Sequence, residues 1–397
     1  MVTATLRMYA VGFGDCFLLS IPRADQRPWR MLVDCGVHVL GRSEHAMATV
    51  VGDLIEVCSD DADPVIDVVV ATHRHQDHVS GFDDARWSEV TVGEVWLPWS
   101  ENPSDSVAQQ LRTRLDATAR NLHLRFGADS AEVAGLALNS LSNEKAMTTL
   151  RDGFRGRARR CYLSTEEPNR RELTGLPDAR VHLLGPPRTP AAIKSMDPPE
   201  LERWLTMDER ASGRSDSLEI PFGPAYRIAD RAAFWQQYEH LTAEDELLDS
   251  VPLEPDGGLA AASWLDRVLN NTSLVFVLEV DDIRILFAGD AQWGVWREIL
   301  NNLDARELLA RTNLYKVSHH GSHNGSPKTL VNEVLPSSLT SVMSFKTMSR
   351  WKAIPKAQLV TALSAERRLL LRPDEAVPDS PSVRRAGDGL WTEIDLG

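Results

Sequence analysis

The chain predicts an α/β fold of two mixed sheets covered by outer helices. Three features of its 397 residues predict it. Alternating or continuous apolar runs rich in valine, isoleucine and leucine recur along the chain. Stretches with a helical repeat lie between them. Polar residues able to do chemistry collect where the apolar runs stop. Composition is that of an ordinary globular protein, 43% apolar and 25% charged. The whole of 1–397 reads as one domain, with residues 188–268 as an insertion or subdomain.

In order, Leu6 to Ser20 reads as two strands joined by the glycine turn Val11-Gly12-Phe13-Gly14-Asp15. Trp29 to Gly36 is a third strand, and 45–58 has helical spacing. The run Val65-Ile66-Asp67-Val68-Val69-Val70-Ala71 is a fourth strand, and Val92 to Leu97 a fifth. Residues 104–122 predict a helix with Val107, Leu111, Leu115 and Ala119 on one face. Residues 136–150 suggest another. Ala179 to Gly185 is strand-like and stops at Pro186-Pro187.

The stretch 188–268 is rich in Pro, Asp, Glu and Trp, with helical pieces near 198–211 and 230–247. After it, Ser273 to Val280 and Ile283 to Asp290 form a hairpin turned by Asp281-Asp282, followed by a helix over 292–303. A strand at 314–317, one near 340–344, a helix near 355–367 and a strand near 390–396 complete the pattern.

The most informative stretch is Thr72-His73-Arg74-His75-Gln76-Asp77-His78, directly after the fourth strand. Residues two apart at a strand end point the same way, so His73 and His75 can pinch one ion. Asp77 and His78 follow where the backbone turns and can face a second. Six of the eleven histidines fall in two short windows, 73–78 and 319–323, which scattered surface residues rarely do. Imidazole and carboxylate suit zinc, with manganese or iron as other candidates.

Bulk properties narrow the classes. Apolar runs fall well short of the roughly twenty residues that span a bilayer, so no membrane association is expected. The first residues lack the layout of a signal peptide, which makes the cytoplasm the expected compartment. The cysteines Cys16, Cys35, Cys58 and Cys161 show no metal-type spacing; Cys16 and Cys35 read as reduced core residues. A net charge of −14 argues against tight nonspecific binding to nucleic acid.

Several stretches in one order resemble the metallo-β-lactamase fold, and within it the soluble metallo-hydrolase domain of the ComEC-type DNA-uptake proteins and its stand-alone relatives. These are the Val11–Asp15 turn, Leu32-Val33-Asp34-Cys35-Gly36, the His-x-His-x-Asp-His signature at 73–78, Asn271-Thr272-Ser273-Leu274-Val275, Ala288-Gly289-Asp290, and Lys316-Val317-Ser318-His319-His320-Gly321-Ser322. The resemblance covers about residues 5–100 and 270–350 and leaves 188–268 outside. It implies an αββα sandwich and a site for two divalent ions. Two departures stand out. The broad superfamily carries a further metal histidine between the signature and the later aspartate; here His123, His182 and His240 are the candidates, none in a fitting context. The late His-Pro of the subgroup reads Ile354-Pro355.

On this reading His73 and His75 hold the first ion, and Asp77, His78 and His320 the second, with Asp290 bridging; a helix cap is the other role open to Asp290. Neighbours in an extended chain face opposite ways, so only one of His319 and His320 can easily point at a given ion, and His320 is favoured. His319 is then left to contact substrate or protonate the leaving group. Asp34 is expected to orient a ligand histidine, Asp15 to pin the glycine turn, Asp77 to take a proton from the attacking water, and Lys316 and Ser322 to touch a phosphate. No G-x-S-x-G, Walker or dinucleotide motif competes.

The expected function is metal-dependent hydrolysis of a phosphodiester, in nucleic acid or a nucleotide. An arginine cluster, Arg151, Arg155, Arg157, Arg159, Arg160, Arg170 and Arg171, supports it. The alternatives are hydrolysis of a small ester, lactone or thioester, which the acidic balance favours, and a non-catalytic module binding a protein partner through 188–268.

Overall fold

Two mixed sheets and a set of helices build the molecule. The computed structural model describes residues 4–24, 26–41, 44–60, 62–126, 139, 143–166, 170–204, 265–346, 353–365, 367–378 and 380–397. The first sheet contains β1 (Ala4–Tyr9), β2 (Cys16–Arg23), β3 (Gln26–Cys35), β4 (Val65–Val70), β5 (Thr91–Pro98) and β6 (Arg159–Leu163). The second contains β7 (Arg170–Leu173), β8 (Leu176–Gly185), β9 (Val275–Val280), β10 (Ile283–Phe287), β11 (Leu314–Lys316), β12 (Thr340–Val342) and β13 (Leu369–Leu371). The chain then returns to the first sheet through β14 (Val383–Arg385) and β15 (Trp391–Leu396).

Strand order is β14-β15-β1-β2-β3-β4-β5-β6 in one sheet and β13-β12-β11-β10-β9-β8-β7 in the other. Both sheets change from antiparallel to parallel partway across. In the first, β1, β2 and β3 pair antiparallel and β3 to β6 parallel. In the second, β7 to β10 pair antiparallel and β10 to β13 parallel. Ligand sites in such sheets lie beyond the carboxyl ends of parallel strands. Those ends are where β3 delivers Asp34, β4 the 72–78 loop, β10 Asp290, and β11 the histidine pair.

One hydrophobic cluster draws on both sheets: Phe17, Met31, Val70 and Trp96 from the first, and Phe276 and Phe287 among others from the second. Phe276 and Phe287 stack with centroids 5.1 Å apart. Strand β9 is buried on both faces, Phe276 and Leu278 toward this cluster and Val275 and Val277 toward another, which is why it reads as an unbroken apolar run. Each such side chain contributes roughly 1.5–3 kcal/mol by leaving water. Helix Met47–Val57 buries Val50, Val51 and Leu54 in a second cluster with residues of the first sheet. Helices Trp293–Asn301, Leu303–Leu309 and Ala357–Leu363 join a third with residues of the second.

Most expected elements are present, with boundaries shifted by a few residues. The helix expected over 104–122 runs Ser106–Phe126, and its buried face carries Ala108 rather than Val107, which is 41% exposed. Of 136–150, the described part is helical at Glu144–Thr148. Strands β6, β7, β13 and β14 and helix Leu303–Leu309 were not expected. Within 188–268, a short helix Pro190–Lys194 and a 3-10 turn Glu200–Glu202 are described. The helix expected over 230–247, the second half of that over 198–211, and His240 lie outside the described residues. All four cysteines are buried and unpaired. Among the described residues no helix is long and apolar enough to cross a membrane.

Candidate metal centre

The 72–78 loop is held down by close backbone contact. A Cβ on Gly14 would lie 2.3 Å from the Gly36 carbonyl oxygen and 2.8 Å from that of Asp77, so only glycine lets the β1–β2 turn sit there. Asp15 N–H donates to the Asp77 carbonyl at 2.9 Å, completing the join. Asp34 anchors the loop from below, accepting from Thr72 N–H and Oγ–H, both at 2.7 Å, and facing His78 Nδ1 at 2.8 Å. It therefore occupies the position expected of it, fixing the His78 ring with Nε2 pointing away.

From the second sheet, Gly289 adopts φ +48°, and a Cβ there would come within 2.8 Å of Ser273 Cβ and 3.0 Å of Thr72 Cβ. This turn seats Asp290 against the loop from the other sheet. The N-cap position of helix Trp293–Asn301 falls on Gln292, whose side chain makes no cap bond, so Asp290 does not stand at the cap. Its Oδ2 lies 3.3 Å from His78 Nε2 and 3.4 Å from His320 Nε2, and His320 Nε2 lies 3.2 Å from Asp77 Oδ2. Asp77, His78, Asp290 and His320 each present a ligand atom, all within 4.8 Å of one another, and all four side chains are buried. Asp77 Oδ1, His78 Nε2 and Asp290 Oδ1 are buried with no hydrogen bond. Two imidazoles and two carboxylates with unsatisfied buried atoms could hold a divalent ion.

His73 and His75 converge as a separate pair: His73 Nε2 and His75 Nδ1 are 2.9 Å apart with the rings at 76°. Between two such nitrogens there is room for one proton, or for a cation that both lone pairs face. The His73 ring lies 4.2 Å from that of His78, so the pair adjoins the four-residue group.

Charge is balanced internally. Burial disfavours a proton on His78, but Asp290, Asp34 and Asp77 outweigh it and hold its pKa well above the usual value. His320 is pushed up to about 9 against its burial by Asp290 and Asp15. Burial would raise Asp77 and Asp290, yet the same histidines hold both low. His73 is held well below its usual value by burial and by His78 and His75. The carboxylates of the group thus favour positive charge on its rings, the charge that a cation would supply.

Lys316 and Ser322 turn inward, contrary to the phosphate contacts expected of them. Lys316 is 3% exposed; its ammonium is bound by Asp15, donates to the Gly289 carbonyl at 3.0 Å and lies 3.6 Å from Asp290 Oδ1. Asp15 also accepts from Ser344 and lies 3.6 Å from His78 Nδ1 and 3.7 Å from His320 Nδ1. It does more than pin a turn: it links the buried cation to both rings. Ser322 Oγ contacts His319 Nδ1 at 2.7 Å and Asn324 at 2.8 Å.

The histidine pair is not extended. His319 and His320 both have φ +48°, so the alternation argued from an extended chain is not the reason they diverge. His320 nevertheless faces the group. His319 sits apart, its Nδ1 on Ser322 and Asn324 and its Nε2 3.3 Å from Asn270 Nδ2. Pro355 underlies the turn, 2.7 Å from where a Gly321 Cβ would be.

Of the candidates for a further ligand, His182 Nε2 pairs with Glu279 at 2.7 Å on the second sheet, and His123 lies on helix Ser106–Phe126. Neither belongs to the described groups able to hold a metal. Asp266 and Asn270, which approach His75 and His319, carried no recognisable spacing in the sequence. The sequence matches no protein-family model, and no curated protein matches it.

Proposed function

We propose that this chain is a metal-dependent hydrolase of the metallo-β-lactamase type, with an αββα arrangement of its layers and a two-ion site. The observation that carries the reading is the buried group Asp77, His78, Asp290 and His320, with unsatisfied ligand atoms, beside the converging pair His73 and His75. Asp77, His78 and His320 would hold one divalent ion, His73 Nε2 and His75 Nδ1 the other, and Asp290 would bridge, zinc being favoured and manganese the other candidate. Such ions supply Lewis acidity and a water ionisable near neutral pH.

The chain's own groups frame that chemistry. Asp34 and Asp15 stand behind the Nδ1 atoms of His78 and His320, so their Nε2 atoms face inward. Asp77 Oδ1, buried and unbonded, is assigned to take the proton of the attacking water. His319, held by Ser322 and Asn324 and with its pKa lowered by burial, is assigned to hydrogen-bond the leaving side of the substrate as a neutral ring.

A phosphodiester is the first substrate class, on the resemblance described above. One observation favours the second class, a small ester, lactone or thioester. Arg155, Arg159 and Arg160 pair with Asp63, Glu94 and Asp152, Arg171 with Glu94, and Arg151 with Glu144. Arginines already answered by carboxylates attract polyphosphate weakly. The experiment is turnover of bis-p-nitrophenyl phosphate, plasmid DNA and a lactone panel with zinc or manganese. Turnover of the lactones alone sinks the phosphodiester reading. Unchanged turnover in both Asp77→Ala and His75→Ala sinks the metal reading.

A further inference from the structure

We infer that Asp266 is a positioning residue for His75, and that the short helical stretch 265–270 forms a wall of the metal centre. The inference rests on the two-ion reading and assigns to it a residue from outside the sequence resemblance.

His75 Nε2 is buried without a hydrogen bond, while its Nδ1 faces His73 Nε2. The acidic oxygen that faces Nε2 is Asp266 Oδ1, at 3.5 Å. Asp266 is aimed by its neighbours: Asn139 Nδ2 donates to the same Oδ1 at 3.1 Å, and Asn139 Oδ1 accepts from Gln76 N–H at 3.0 Å. The carboxylate is thereby tied to the backbone next to the histidine it faces. The side chain is 19% exposed, placing it at the rim rather than among the buried ligands.

One helical turn later, at i+4 and hence on the same face, Asn270 approaches His319 Nε2 at 3.3 Å, with its own Oδ1 buried and unbonded. The opposite face of the stretch is apolar: Leu265, Val268 and Leu269 pack with Trp99, Leu111 and Leu115. One face of the stretch therefore presents polar groups to two histidines of the centre, and the other fixes where they stand.

A ring nitrogen can face an ion only with its lone pair free, which requires the proton to sit on the other nitrogen. A carboxylate at Nε2 selects that tautomer for His75, as Asp34 does through Nδ1 for His78. No bond is made or broken; the group acts through His75 alone.

The test is zinc binding by the full chain, followed by competition with a chromophoric chelator, in wild type, Asp266→Ala and Asp266→Asn. Loss of an outer carboxylate costs about 10–100-fold in metal affinity. The expected result is that weakening, confined to the looser of two binding steps in Asp266→Ala, and a smaller loss in Asp266→Asn, whose amide oxygen is able to accept from Nε2 when the ion draws the ring into place. In metal-free protein, nitrogen-15 NMR of the His75 ring should show the proton on Nε2 in wild type and a tautomer mixture in Asp266→Ala. Two-step binding that is identical in all three proteins overturns the assignment to Asp266 alone, as does equal weakening of both steps. A wild-type chain that takes up no zinc overturns the metal reading and this inference together.

Discussion

The two halves of the proposed metal centre are furnished unequally. The group around Asp77 and His78 has two carboxylates and two imidazoles, all buried, with Asp34 and Asp15 behind the rings and Lys316 balancing their charge. The pair His73 and His75 has two imidazoles and one partly exposed carboxylate, Asp266, at 3.5 Å. The first half is stitched together by both sheets; the second leans on the helical stretch 265–270, where the insertion ends. Outer partners raise affinity by fixing ligand geometry in advance. Two ions bound here should therefore differ in strength, with the tighter in the four-residue group.

The largest effect that could break this contrast comes from Asp290, the proposed shared ligand. Asp290→Ala should lower kcat by about 10³-fold or more, roughly 4 kcal/mol of barrier, and metal analysis should find both ions weakened. Retention of one ion at full affinity would show that Asp290 serves one half only. Next come the single-half variants. His78→Ala should weaken the tighter binding step and His73→Ala the looser one, each by more than the about 100-fold that loss of an outer partner can cost. Calorimetric titration with zinc separates the two, and an interchange of the two outcomes would reverse the ranking.

Acidity sharpens the contrast further. His78 is held well above its usual pKa and His320 at about 9, so an ion entering their group must displace protons. Affinity there should rise with pH toward about 9 and fall below it, by about tenfold per pH unit for each proton displaced. His73 is pushed the other way and is already neutral, so the looser step should respond less. Equal slopes for both steps, measured by competition titration between pH 6 and 9 at about unit intervals, would defeat the distinction. The smallest effect is on stability. Gly289→Ala forces a Cβ against Ser273 and Thr72 at φ +48° and should cost about 1–3 kcal/mol in calorimetric unfolding.

How much of this could be read from sequence follows the same division. Residues 72–78 and 288–290 lie where strands end, and strand periodicity alone fixes which way short neighbours point. Asp77, His78 and Asp290 were therefore legible from the strands that precede them, whereas His320 was named on an extended-chain argument that its backbone, at φ +48°, does not follow. Asp266 and Asn270 were not, because their contacts depend on how the stretch 265–270 packs against helix Ser106–Phe126, a tertiary choice with no local signature. Lys316 was misread for a related reason: a lysine in a motif says nothing of the buried aspartate that awaits it. The strands missed share one property. β6, β7, β13 and β14 are the outermost strands of the two sheets, three to five residues long, and three of them are rich in arginine. Short charged strands at an edge resist pairing with other molecules, and the same traits hide them from a search for apolar alternation. Four of the seven arginines read as a phosphate-seeking cluster, Arg159, Arg160, Arg170 and Arg171, lie on the edge strands β6 and β7.

The placement of Asp77 after β4 and of Asp290 after β10 has a mechanical side. An ion gripping both is a removable cross-link between the two sheets, closing a loop from position 77 to position 290. Unlike a disulfide, it comes and goes with its surroundings. The folded state would gain about 2.7 kcal/mol when free ion stands at a hundred times its dissociation constant, and lose it under a chelator. The melting temperature of this chain would then report the free zinc around it, with or without a substrate to turn over.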